Sequence, residues 1–146
     1  MKSPPENKLR SNWPLIILMV FSLAFVCIFY GKILVSPNSY LFSDSGDGIK
    51  NYHTYAWHIV HDSTGLIYEG MNYPYGEHFL YTDCHPLFAN SFRFIGKYVT
   101  FFQNHSIGIL NLLMILSIFL TFFASYYLLK ELDINNWFSV IFALSI

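Results

Sequence analysis

Charge is what this chain has least of. Of its 146 residues only 12% are Asp, Glu, Lys or Arg, while 54% are hydrophobic and 20% aromatic. That is about half the charge usual in a soluble domain. It leaves too little polar surface to clothe a small water-soluble globule, and the chain is too apolar to be disordered. Basic residues are not in excess either. A formal net charge of −1 offers no electropositive footprint for phosphates, which excludes nucleic acid as a partner. Cysteine is nearly absent: Cys27 and Cys84 cannot build a disulfide framework, nor a thiolate metal site alone.

What is present is gathered in blocks. No charged residue occurs from Ser11 to Gly31, and this run predicts a first transmembrane helix over 14–35, preceded by a cytoplasmic N-terminus over 1–13. Lys32 snorkels at its end, Trp13 and Tyr30 suit the interfaces, and Ser36-Pro37-Asn38-Ser39 breaks it. Lys2, Lys8 and Arg10 also resemble the basic region of a signal peptide, but no small-x-small cleavage site follows. A second uncharged run predicts transmembrane helix 2 over 106–129, long enough at ~1.5 Å per residue for a ~30 Å hydrocarbon core. A polar cytoplasmic turn over 130–136 and the start of a third helix over 137–146 follow, and the apolar ending predicts a truncated polytopic protein. The basic flanks place the N-terminus and the 130–136 turn in the cytoplasm and the loop over 36–105 outside.

That loop is far longer than the ~2–8 residues that usually join bundled helices, so structure of its own is expected. It contains all six histidines and six acids against Lys50, Arg93 and Lys97. Asp44-Ser45-Gly46-Asp47-Gly48 predicts a helix start with Asp47 as N-cap. The helix then runs over about 48–61, with Ile49, Tyr52, Ala56, Ile59 and Val60 on an apolar face. Asp47, Lys50, Thr54, His58 and His61 fall on the polar one. Pro86 predicts the start of a second amphipathic helix over 86–102, striped by Leu87, Phe88, Ser91, Phe92, Ile95 and Val99, with Asp83 or His85 near its cap. Arg93 and Lys97 lie four apart on it, spaced for lipid headgroups or a phosphate.

Simpler roles compete at each position. Asp44 and Asp47 cap a helix as readily as they catalyse. His58 and His61 are spaced to share a metal, yet no third ligand is fixed by spacing, which favours a solvated face. His78 and His85, with Glu77 and Asp83, sit in loops where hydrogen bonding is the commoner use. Tyr73 and Tyr75 suit the headgroup layer or packing of the loop.

One membrane helix followed at once by a large outer loop, with Ser43-Asp44-Ser45-Gly46-Asp47-Gly48, resembles the GT-C superfamily of polytopic glycosyltransferases. Gly46-Asp47-Gly48-Ile49-Lys50-Asn51-Tyr52 and Met71-Asn72-Tyr73-Pro74-Tyr75-Gly76-Glu77-His78 look more narrowly like YfhO-like and dolichyl-phosphate-mannose-type relatives. The resemblance implies an all-α polytopic membrane protein, the N-terminal part of a GT-C-like bundle whose first outer loop carries two interfacial helices. It implies a bacterial inner-membrane enzyme that moves a sugar from a polyprenyl-phosphate-linked donor to an acceptor on the extracytoplasmic side, in contact with membrane lipid. Asp47, with Asp44 as second candidate, would be the general base or a ligand of a divalent cation, and the metal question stays open. On chemistry alone Lys50, Arg93 and Lys97 are the candidate phosphate contacts. The competing expectations are a non-enzymatic polytopic membrane protein, transporter or scaffold, with a partner-binding outer loop, and a His-rich metal-binding loop.

Overall fold

A computed structural model describes residues 12–82 and 84–145. The chain is mostly helical. In order it forms α1 (Trp13–Val35), α2 (Gly46–Val60), the two-residue strands β1 (Ile67–Tyr68) and β2 (Glu77–His78), a 3-10 turn (Phe79–Tyr81), α3 (Pro86–Gly96), α4 (Phe101–Asn104), α5 (Ser106–Glu131) and α6 (Asn136–Leu144). The chain divides into two units, one formed by the residues up to Gly31 together with those from Met114 onward, the other by Lys32–Leu113.

The first unit holds the apolar runs. α1 with 23 residues and α5 with 26 are both long and apolar enough to cross a membrane. Where they meet α6, Leu18, Phe122, Tyr126, Val140 and Ala143 form a buried cluster, and Phe25 meets Phe122 edge-on at 5.6 Å. Their other faces leave Phe21, Ile28, Phe29, Leu120 and Leu128 exposed. The expected third apolar run is α6, nine residues long. Its N-cap is Asn135, whose side chain accepts from the Trp137 N–H at 2.9 Å, satisfying a donor that a helix start leaves open.

The second unit is the expected loop, folded around α2. That helix begins at Gly46, in the left-handed region at φ 55°, with Ser45 rather than Asp47 as N-cap. Asp47 instead occupies the first turn, where a carboxylate is favoured by the helix dipole. The apolar face read from periodicity is rotated: Tyr52 and Ile59 are buried, but so are Tyr55, Thr54 and His58, whereas Ile49 and Val60 are exposed. α3 is shorter than expected. It ends at Gly96, and the turn at Lys97–Thr100 separates it from α4. Its buried residues are Ala89, Arg93 and Gly96, while Leu87, Phe88, Phe94 and Ile95 of the apolar side are exposed. Gly96 lies against Gln103 of α4, whose side chain a Cβ there would approach to 3.1 Å.

One polar residue in α5 ties this unit together. Asn111, fully buried, accepts from the Tyr52 hydroxyl and donates to the carbonyls of Pro37 at 2.6 Å and Tyr40 at 2.7 Å. One turn earlier the Gly108 N–H donates to Asn38 Oδ1 at 2.8 Å. A Cβ at Gly108 would lie 2.5 Å from that oxygen, so only glycine admits the bond. Asn111→Leu would remove the acceptor of the Tyr52 hydroxyl, which keeps the Phe42 N–H, and the donor to two carbonyls. A loss on the order of 2 kcal/mol is expected, read as faster labelling of the buried Cys84 thiol in a Cys27→Ser background.

Candidate functional site

Behind the loop's surface lies a buried polar network. His58 Nδ1 stands 2.5 Å from Asp62 Oδ2, both side chains fully buried. His58 Nε2 faces Asn90 Oδ1 at 3.2 Å, and the ring stacks on Phe79 at 3.4 Å. Both ring nitrogens thus have a side-chain oxygen within hydrogen-bond reach. Asp62 Oδ1 accepts from the Glu69 N–H at 2.9 Å. Arg93 donates from Nε to the Asp62 carbonyl at 3.0 Å and from its terminal nitrogen to the Ser63 carbonyl. These bonds clamp the 61–69 segment between α2 and α3.

The clamp positions an open cavity of about 380 Å³ at the C-terminal end of α2, where Trp57, His61, Glu69, Tyr73 and Tyr75 line it. Its outer wall is the segment between β1 and β2, which pair antiparallel with Ile67 opposite His78 and Tyr68 opposite Glu77. The turn closes where Tyr75 and Gly76 donate their N–H groups to the Asn72 carbonyl. Gly76 has φ 69°, and a Cβ there would lie 2.6 Å from the Ile67 side chain. Glu69 is oriented by Ser63, whose hydroxyl donates to Oε1 at 2.5 Å. The His61 ring packs against Trp57 at 4.5 Å. A second, apolar groove of about 360 Å³ runs along α2 from Ile49 to Val60 and shares Trp57 and His61 with the first.

Of the residues singled out by sequence, the structure brings few together. Asp44 and Asp47 are exposed at the start of α2. Lys50 follows Asp47 by three residues on the same helix, on its neighbouring side. Arg93, expected beside Lys97 at an exposed surface, is buried with its guanidinium engaged on carbonyls, whereas Lys97 is exposed at the C-cap of α3. His58, expected on a solvated face, is buried because it packs into the clamp, while His61 is exposed and reaches the cavity. Glu77 is in β2. His78 Nδ1 accepts from the Leu80 N–H at 3.3 Å. His85 precedes α3 at φ 52° and makes no side-chain cap bond. Asp83 lies outside the described residues. Among the described residues no group of three or more His, Cys, Asp or Glu is placed to hold a metal ion.

Residues 17–146 match a family model described as Domain of unknown function (DUF6311). The chain belongs to this family. No curated protein and no solved structure matches it. The DUF6311 match covers most of α1 and everything after it, so the clamp, the cavity and the exposed Asp47 all fall within the family domain.

Sequence reasoning missed the roles of Asp62, Asn90 and Asn111 and the cavity that Trp57 and Glu69 line. A usable signal existed for two of them: Asp62 follows His58 at the helical i, i+4 spacing, and Asn111 is the one carboxamide in the apolar run from Ser106 to Leu129.

The buried phenols set an alkaline limit for this DUF6311 domain. Burial raises the Tyr52, Tyr55 and Tyr68 hydroxyls above the ordinary value of 10.0, and at Tyr68 the neighbouring Asp62 carboxylate adds to the rise. Folded phenols therefore hold protons that unfolded ones release. The tyrosines leave stability unchanged below about pH 10, and above it stability falls as the unfolded state ionises first. Exposed tyrosines such as Tyr73 and Tyr75 should ionise gradually, and a separate step in tyrosinate absorbance at higher pH should coincide with Cys84 exposure; gradual ionisation without that step would contradict it.

Proposed function

We propose that this chain is part of a multi-pass membrane glycosyltransferase that takes a sugar from a polyprenyl-phosphate carrier and passes it to an acceptor hydroxyl outside the cytoplasmic membrane. The observation that carries the reading is the exposed carboxylate of Asp47 in the first turn of α2, within a folded loop between two helices long and apolar enough to cross a membrane. The helix N-terminus favours the ionised form of that carboxylate. As a general base it would take the proton of the acceptor hydroxyl, whose oxygen bonds to the anomeric carbon while the bond from that carbon to the phosphate breaks. Lys50, one turn along α2, is the nearest candidate cation in sequence for the departing phosphate.

The outward apolar side chains of the loop fit the same reading. Ile49, Val60, Leu87, Phe94, Tyr98 and Phe101 are exposed, the arrangement of helices that lie in a bilayer interface. In this reading α1 and α5 cross the membrane, the N-terminus is cytoplasmic and the α2–α4 unit is outside. Arg93 is not given a phosphate role, because its N–H groups already serve the clamp. The test is transfer from a polyprenyl-phosphate sugar donor by membranes carrying the protein or its Asp47→Asn variant. Loss of transfer with unchanged membrane insertion supports the reading; equal transfer removes Asp47, and no transfer by the unaltered protein favours a binding or transport role.

A further inference from the structure

The cavity at the C-terminal end of α2 has a composition of its own. Three of its lining side chains, Trp57, Tyr73 and Tyr75, are aromatic, and its polar groups are a carboxylate and an imidazole, Glu69 and His61. Neither Lys nor Arg lines it, so a phosphate or another anion would meet Glu69 with no compensating charge. Tyr73 and Tyr75 are 93% and 89% exposed, and they are held out by a turn that Gly76 alone permits. Trp57 Nε1 is buried with no hydrogen-bond partner among the described residues, although buried donors are nearly always paired. About 380 Å³ lies within the range of small-molecule sites, which combine apolar walls with a few placed polar groups.

Aromatic faces beside one acceptor and one donor-acceptor suit a ring with apolar C–H faces and hydroxyl edges. We infer that this cavity binds a neutral saccharide ring, stacked on the exposed Tyr73 and Tyr75 rings beside the Trp57 that His53 and His61 already pack, with its hydroxyls donating to Glu69 and exchanging hydrogen bonds with His61. The site is distinct from the proposed reacting centre. Trp57 is ten residues from Asp47 on one helix, ~15 Å away at ~1.5 Å per residue, so a sugar bound here belongs to a glycan whose reacting unit lies elsewhere. The inference rests on the cavity and holds for a saccharide-binding loop with no transferase activity. Joined to the glycosyl-transfer reading, it assigns the cavity to the acceptor glycan and leaves the phosphate-linked donor to another surface.

The test uses the purified full chain in a detergent without a sugar headgroup, with Trp13→Phe and Trp137→Phe leaving Trp57 as the chain's reporter. Slow Cys84 labelling confirms that the loop unit is folded. Methyl glycosides of glucose, mannose and N-acetylglucosamine are titrated against Trp57 emission, with inorganic phosphate and phosphatidylcholine vesicles as separate arms. At least one glycoside should give a saturable shift, weakened about tenfold by Glu69→Gln, the loss of one charge-assisted hydrogen bond. Tyr73→Ala and Tyr75→Ala, at exposed positions that spare the fold, should each weaken it too. Absence of a saturable shift in the folded chain overturns the inference. So does an equal response to phosphate, or a response to vesicles alone, which would mark the aromatic rim as a membrane contact. Saccharide binding that persists when Asp47→Asn leaves transfer untouched would remove the transfer mechanism and keep this site.

Discussion

Asp62→Ala is expected to unfold the loop unit while leaving α1 and α5 helical. The carboxylate is fully buried against the His58 ring at 2.5 Å, and its other oxygen holds the Glu69 N–H. Its own carbonyl accepts from Arg93. Alanine leaves that carbonyl in place but strands the imidazole and an amide N–H away from water. Leaving a buried hydrogen-bonding group without its partner costs about 1–3 kcal/mol for each group stranded, here the ring nitrogen and the amide N–H. At about 1.4 kcal/mol per decade, Cys84 should become accessible on the order of a hundredfold faster or more, measured in a Cys27→Ser background. Asp62→Asn keeps an oxygen for the Glu69 N–H and should be milder. Unchanged Cys84 protection in the alanine variant would mean that apolar packing alone, chiefly Tyr55, Tyr68 and Phe79, holds the unit.

Asp47→Asn is expected to cost a factor of about 10²–10⁴ in transfer, the usual contribution of a positioned general base, with little change in stability. The substitution keeps the shape of the side chain and removes its basicity. Asp47 is exposed in the first turn and is not the N-cap, and weakening its helix-dipole interaction costs ~0.3–1 kcal/mol at such a site. A Cys84 labelling rate close to that of the unaltered protein, with transfer abolished, would separate chemistry from folding. If Asp44→Asn gives the larger loss, the base is Asp44, exposed three residues earlier in the chain.

These two acids show where sequence was informative. Asp47 was visible as an acid at a helix start, because glycine and serine around it mark a turn and local rules govern helix ends. Asp62 stands before Ser63, Thr64 and Gly65, a local setting that marks only the end of a helix. Its importance comes from His58 on α2 and Arg93 on α3, thirty-one residues away, and nothing local announces that meeting. His58 and Arg93 share that history: each reads alone as a solvated polar residue and is buried because the other end of the network supplies its partners.

The sequence by itself determined the helical character, the two long apolar helices and the existence of a structured segment between them, since each depends on runs and spacings within a short stretch of chain. Even the ends of α1 and α5 come within two residues of the expected bounds. Only the tertiary structure decided which faces of α2 and α3 turn inward. Periodicity measures aversion to water, and it does not distinguish a side chain covered by protein from one left exposed on an apolar surface. α2 therefore meets α3 through His58 and Asn90, with Ala89, Arg93 and Gly96 buried while Leu87 and Phe94 stay outside. The cavity at Trp57 was hidden for the same reason. It exists because the buried His58–Asp62 contact and the Arg93 bonds to the Asp62 and Ser63 carbonyls draw the chain back against α2.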